Sequence, residues 1–174
     1  MALETWNPEA FDKSMDCNIR SVIALIQKAV PHLEKTKGNI VCVSSLATQV
    51  VAKGQINYQI SKAALDHMVR CLALQLGPKG IRINATNPTF VNNTRVMRDA
   101  TTKWKSLDTV MEKVYRQETP LQGQFSGLDE QAEVILFLAS NAARFIHGQC
   151  ILVDGGIGLK GNPFNFDAVY KHML

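Results

Sequence analysis

Apolar positions set the first boundaries along this chain. From Pro8 to Leu33, the residues Ile19, Val22, Ile23, Ile26, Val30 and Leu33 recur at three- and four-residue spacing, which predicts a long amphipathic helix. The polar run "KTKGN" ends it, and "IVCVSS" (Ile40 to Ser45) follows as a short, nearly continuous apolar stretch. A strand covered on both faces of a parallel sheet has that pattern. A loop from Leu46 to Gln55 leads to a second long helix, Asn57 to Leu76, closed by "GPKG". "IRINATNP" is the next strand, stopped by Pro88. The stretch from Thr89 to Leu128 is polar and irregular, with helical fragments around Lys103–Arg116. "DEQAEVILFLAS" opens with acids and continues as an apolar helix, as the helix dipole favours. "GQCILVDGG" is a final strand capped by a glycine turn, and the tail 157–174 has no clear period and stays unassigned.

Helix, strand, helix, strand, helix, strand is the order of an α/β layer with parallel strands. The expected fold is therefore part of a Rossmann-like, doubly wound parallel sheet: its last three strands with their flanking helices. A complete sheet of this kind has roughly five to seven strands. The leading helix has no strand of its own to cross over from. At about 30 residues per strand–helix–strand unit, the missing strands correspond to roughly 90–120 further residues. Residues 1–174 are thus expected to be a single domain that forms the second half of a larger fold. The strand "IVCVSS" would then present an unpaired apolar edge, prone to aggregation or to pairing with another chain.

Composition narrows the classes. With 174 residues, 46% of them hydrophobic, and a net charge of +4 spread along the chain, this reads as an ordinary soluble domain. No basic stripe points to nucleic acid or anionic lipid. No apolar run approaches the ~20 residues of a membrane span, and "MALETWNPEAF" lacks the regions of a secretory signal. Cys17, Cys42, Cys71 and Cys150 lack metal-ligand spacing and read as free thiols in a reducing compartment. The expectation is a cytoplasmic protein with no metal site.

The candidate chemistry lies in "INYQISKAAL", where Tyr58 and Lys62 stand one helical turn apart. Alone, the pair reads equally well as a helix face with a lysine stem laid along it. Its company changes that. Ser45 lies 13 residues before Tyr58, at the carboxyl end of a predicted strand, where open α/β sheets place their ligands. "NPTFV" follows the next strand and "ILVDGG" closes the last.

In this order the pieces resemble the short-chain dehydrogenase/reductase family from about Glu4 to Gly156. "FDKSMDCNIRSV" is similar to the family's helix with a catalytic asparagine, here Asn18. "GNIVCVSS" resembles the strand with the active serine, and the spacing to the tyrosine favours Ser45 over Ser44. "YQISK" matches Tyr-x-x-x-Lys, and "KGIRINATNP" and "FLASNAARFIHGQCILVDGG" resemble the last two strand regions. The resemblance implies an NAD- or NADP-dependent oxidoreductase that interconverts a secondary alcohol and a carbonyl of a small molecule. It implies catalytic roles for Asn18, Ser45, Tyr58 and Lys62. Lys62 would also bond the nicotinamide ribose, and Asn18 would hold a water in a proton relay through Lys62. Cofactor contacts are expected from Tyr58, Lys62, Pro88, Thr89 and Val91, the last mainly through its backbone.

The chemistry is physically sensible. A phenol ionises near pH 10. An ammonium at ~4 Å, with an effective dielectric of ~20, stabilises the phenolate by ~4 kcal/mol, or about three pKa units before desolvation opposes it. The expectation is a Tyr58 acidified toward neutrality by Lys62, with Ser45 holding the substrate oxygen.

Two features depart from the family's pattern. Pro88 is followed by Thr89 rather than glycine, and Asn93 stands where a threonine is usual, with Thr94 one later. No glycine-rich turn of the kind that meets a pyrophosphate follows a strand, since "GGIGLKG" comes after the last one. Cofactor binding by this chain is therefore expected to be weak. The alternative reading is a non-catalytic module. It would form a homo-oligomer, or pair with a full-length relative, through the two long helices. Met97, Trp104 and Leu107 are read as part of a lid over the substrate, or as packing of that lid on the core.

Overall fold

Asn7 followed by Pro8 is a helix start: the proline fixes the backbone, and Asn7 Oδ1 accepts from the N–H groups of Glu9 (2.8 Å) and Ala10 (3.3 Å). The computed structural model describes residues 6–52, 54–91, 103–121 and 124–160, with the backbone alone for 103–110. Helix α1 (Pro8–Met15) is followed by one π-helical turn, Asp16–Arg20, and then by α2 (Ser21–Thr36). The sequence predicts one continuous helix here. Apolar periodicity averages over several turns, so a single widened turn leaves it almost unchanged.

Strand β1 (Asn39–Val43), helix α3 (Ile56–Leu76), strand β2 (Arg82–Pro88), helix α4 (Lys103–Glu118), helix α5 (Leu128–Ala139) and strand β3 (Cys150–Val153) follow. The three strands form one parallel sheet in the order β1–β2–β3. Its register runs from Asn39 opposite Arg82 to Val43 opposite Thr86, and from Ala85 opposite Cys150 to Pro88 opposite Val153. The α/β expectation and all three strands hold. Helix α4 corrects the sequence reading, which saw only fragments there. Its polar composition conceals a narrow apolar stripe in which Met111 and Tyr115, one turn apart, are both buried.

The strand period of two assigns the sheet's faces. Ile83 and Ala85 pack with Ile26 of α2 and with Leu65, Val69, Ala73 and Leu76 of α3. On the opposite face Arg82 donates to the carbonyls of Leu138 and Ser140, at the end of α5, and Asn84 Nδ2 donates to Ile146 O. Asn84 is fully buried. A second cluster, Leu46, Val50, Met111, Tyr115 and Ile157, sits beyond the carboxyl ends of the strands. Among the described residues, β1 pairs with β2 alone, so its other edge is open.

Candidate active site

The carboxyl ends of β1 and β2 bring the site together. Ser44 extends the ladder, its N–H donating to Thr86 O (2.7 Å), and its side chain is buried and turned toward Lys62 O (3.4 Å). Ser45 is extended backbone and starts a short turn at Leu46–Thr48, where its Oγ accepts from Ala47 N at 3.1 Å. The same hydroxyl stands close enough to the Tyr58 phenol to oppose the upward push on it. Alternation along the strand thus buries Ser44 and presents Ser45, the serine favoured by sequence spacing.

Tyr58 and Lys62 share one face of α3. The Lys62 ammonium lies over the Tyr58 ring, 5.7 Å from its centroid, and donates to Val43 O at 3.0 Å. This corrects the expected electrostatics. The ammonium meets the ring face and a strand-edge carbonyl, and the phenol's own partner is Ser45. Desolvation pushes the Tyr58 hydroxyl above its ordinary range, and the Ser45 hydrogen bond offsets only part of this. Lys62 is pushed below the usual lysine range by burial, opposed by Cys17, Asp66 and Cys42.

Asn18 sits in the π-helical turn, where its Nδ2 donates to Ser61 Oγ at 2.9 Å. Ser61 Oγ in turn donates to the Tyr58 carbonyl at 2.8 Å. Asn18 is therefore tied to the start of α3 through a buried serine. Asn18 and Lys62 both line a groove of about 290 Å³ between α2 and the open edge of β1, together with Cys17, Cys42 and Val43. Ser45 and Tyr58 do not line it. The structure thus sets Ser45 near Tyr58 and places Lys62, over the Tyr58 ring, between them and the groove.

Pro88 ends β2 opposite Val153, and Thr89 N–H donates to Val153 O at 3.3 Å. The Thr89 hydroxyl is buried beside the Tyr115 phenol, which burial pushes far above its usual range. Val91 is half-buried. Asn93, Thr94 and Met97 lie outside the described residues, as do the side chains of Trp104 and Leu107.

A nicotinamide cofactor would find part of what it needs. The Lys62 ammonium and the Tyr58 hydroxyl are donors suited to ribose oxygens, beside the β2 end at Thr89. Among the described residues, nothing comparable awaits the pyrophosphate. The described part of "GGIGLKG", residues 155–160, forms a turn whose Gly156 and Gly158 N–H groups each donate to the Asp154 carboxylate at 2.9 Å. Gly155 there has φ 61°, and a Cβ would meet Thr119 Cγ2 at 2.6 Å. These glycines close the chain onto itself, and their amides are already occupied.

Two residues of the site escaped the sequence reading. Asn87 Nδ2 lies within 3.0 Å of Ser45 O, 3.0 Å of Thr48 Oγ1 and 2.8 Å of Asp66 Oδ2. Asp66 and Asn87 are both buried. The signal was present: Asp66 extends the Tyr58, Lys62 spacing by one more turn, and Asn87 is an amide in a strand otherwise fit for a core.

The comparisons with known proteins agree with this geometry. The sequence matches the family described as enoyl-(acyl carrier protein) reductase over residues 1–158. L-xylulose reductase of Mesocricetus auratus is 37% identical over 150 residues, which is 85% of this chain and 59% of that protein. A short-chain dehydrogenase/reductase of unknown function from Caenorhabditis elegans, solved with cofactor, superposes with a TM-score of 0.79 at 31% identity, covering 89% of this chain and 58% of that one. A 7α-hydroxysteroid dehydrogenase complexed with NADH and 7-oxo glycochenodeoxycholic acid gives 0.76 at 30% identity, covering 87% and 57%. The chain spans under three-fifths of the length of each of these proteins. With the parallel three-stranded sheet, the serine at a strand tip and the Tyr-x-x-x-Lys helix in register, this chain belongs to the short-chain dehydrogenase/reductase family.

Proposed function

We propose that this chain carries the proton-transfer and substrate-binding half of an oxidoreductase that interconverts a carbonyl and a secondary alcohol. The observation that carries the reading is the gathering of Ser45, Tyr58 and Lys62 at the carboxyl edge of the sheet, with the Lys62 ammonium over the Tyr58 ring and bonded to Val43 O. Tyr58, held protonated by its surroundings, is in the form that gives a proton to a carbonyl oxygen. Ser45 binds that oxygen and stabilises charge as it develops. Lys62 takes the ribose, Asn18 and Ser61 hold the start of α3, and Pro88, Thr89 and Val91 border the nicotinamide. NAD or NADP, when bound, supplies or accepts the electron pair. Its binding here is weak, because among the described residues no amide cradle receives the pyrophosphate.

Two measurements test this reading. Titration of NADH and NADPH against the fluorescence of the two tryptophans should show no saturation below ~0.1 mM, where binding is worth about −5.5 kcal/mol. In this chain extended by a nucleotide-binding segment, Tyr58→Phe should lower carbonyl reduction at least ~100-fold. L-xylulose and a 7-oxo bile acid, both suggested by the relatives, are the first substrates to try. Turnover within tenfold of the parent removes Tyr58 as the proton carrier.

Exposed apolar residues favour a second reading, a non-catalytic partner subunit. Ile23 and Leu25 on α2 are 46% and 70% exposed, and Ile60 and Leu74 on α3 are 43% and 83% exposed. Activity separates the two: a stable oligomer by light scattering, whose form extended by a nucleotide-binding segment reduces no carbonyl, favours the subunit role.

A further inference from the structure

Burying a carboxyl and a carboxamide against each other is an expensive way to fill space, and here the arrangement leaves polar atoms without partners. Asp66 is 4% exposed and Asn87 is fully buried, yet Asp66 Oδ1 and Asn87 Oδ1 have no hydrogen-bond partner. Each such oxygen costs free energy that an apolar pair of similar volume avoids. The amide's orientation is nonetheless fixed. Its Nδ2 has two hydrogens for three partners, Ser45 O, Thr48 Oγ1 and Asp66 Oδ2, and the flipped amide would set an oxygen against the Ser45 carbonyl and the Asp66 carboxylate, with only the Thr48 hydroxyl able to donate to it. Those acceptors belong to three different pieces of structure. Ser45 O is at the tip of β1, Thr48 closes the turn after it, and Asp66 lies two turns along α3 from Tyr58.

We propose that Asp66 and Asn87 are positioning residues for the Ser45–Tyr58 pair: the Asn87 amide at the end of β2 draws the Ser45 backbone and the Tyr58 helix onto one buried joint. The joint fixes how far the Ser45 hydroxyl stands from the phenol. It does so from behind, without touching substrate or cofactor. Packing alone would not need a carboxyl here, since Asp66 is already flanked by Leu65 and Val69 of the apolar core and receives the Cys150 thiol at its backbone carbonyl (3.7 Å). Places where a sequence keeps a costly polar group in a core are expected to be functional. The value of this joint to a reaction rests on the proton-transfer reading above; the joint itself does not.

The experiment measures the Ser45–Tyr58 contact without turnover. The chain is labelled with tyrosine carrying ¹³C at Cζ, and the Tyr58 signal, assigned through Tyr58→Phe, is followed at pH 7, where it reports the phenol's hydrogen bond. Ser45→Ala is introduced in the parent and in Asp66→Asn, Asp66→Leu and Asn87→Ala, and each fold is checked by circular dichroism. Asp66→Asn keeps a carbonyl facing the amide, so Ser45→Ala should move the Tyr58 signal there as it does in the parent. In Asn87→Ala and Asp66→Leu the signal should already be displaced, and Ser45→Ala should move it no further. Asp66→Leu breaks the joint from the opposite side, so a fold lost in Asn87→Ala alone still leaves a variant in which the prediction is read. An equal response to Ser45→Ala in all backgrounds, or none in the parent, overturns the proposal. A Tyr58→Phe enzyme with intact turnover would end the catalytic reading and leave the joint standing.

Discussion

The spacing that sets Lys62 one turn from Tyr58 decides that the two side chains meet, but not which atoms do. A lysine stem is long enough to pass the hydroxyl, and here it reaches the Val43 carbonyl at the strand edge instead. That alternative acceptor exists only in three dimensions, so the pair was legible in the sequence and its electrostatics were not. The consequence is testable. Burial pushes the phenol upward and Ser45 recovers only part of this, so the 295 nm absorbance of Tyr58, obtained as parent minus Tyr58→Phe, should rise at a higher pH than that of free tyrosine. Ionisation near pH 7 would instead restore the acidified phenol. Cys42 provides a second case at this scale. Burial raises its thiol from 9.0 to about 11, so between these values the folded chain holds a proton that the unfolded chain has lost. Stability from this group is complete below pH 9 and falls as pH rises toward 11, by about 2 kcal/mol. Urea unfolding at pH 8 and pH 10.5 should show a smaller loss in Cys42→Ala than in the parent, and equal losses would exclude the thiol as the cause.

Elements were easier to read than their joints. Strands β1, β2 and β3 and helices α3 and α5 were visible because apolar runs and periodicity are properties of a single segment. The π-helical turn at Asp16–Arg20 and the Asp66–Asn87 contact were not, because one is a local widening and the other pairs segments far apart in sequence. His147 is a further joint of this kind. Its Nδ1 accepts from Ile83 N (3.2 Å) and its Nε2 lies 2.8 Å from Ala73 O, so one ring bridges β2 and α3. The geometry requires the proton on Nε2, leaving Nδ1 to serve the strand. His147→Ala strands the Ile83 N–H beneath the loop and should cost about 2 kcal/mol in urea unfolding. A loss under ~0.5 kcal/mol would mean that water replaces the ring at no expense. At the end of α2, Lys37 holds φ 52°, a left-handed cap where glycine is preferred. Lys37→Gly should raise stability by about 1 kcal/mol, less whatever its bond to Lys79 O (3.1 Å) contributes. A lower melting temperature in that variant would show that the bond outweighs the backbone strain.

At the scale of the whole molecule the open edge of β1 dominates behaviour in solution. The Ser44 N–H and the Gly38 C=O both turn to β2, and in a parallel ladder alternate residues face alternate sides. Val41 and Val43 therefore turn their backbone groups to the open edge, and Lys62 satisfies only the Val43 carbonyl. Val43 is also 51% exposed, beside an apolar groove that α2 leaves along the strand. An exposed edge of this kind recruits strands from other chains. Kept alone in solution, the 174-residue chain should self-associate, and its sedimentation coefficient should rise with concentration. Natural edges are blunted by lysine, so Val43→Lys should reduce that association while leaving the melting temperature nearly unchanged, because the side chain is already half in water. Association through the exposed apolar faces of α2 and α3 would not respond to a charge at Val43. It would respond instead to Ile23→Glu and Leu74→Glu, which are 46% and 83% exposed in the parent and lie outside the groove along β1. The pattern across these variants assigns the contact to a strand edge or a helix face, since no single substitution lies on both.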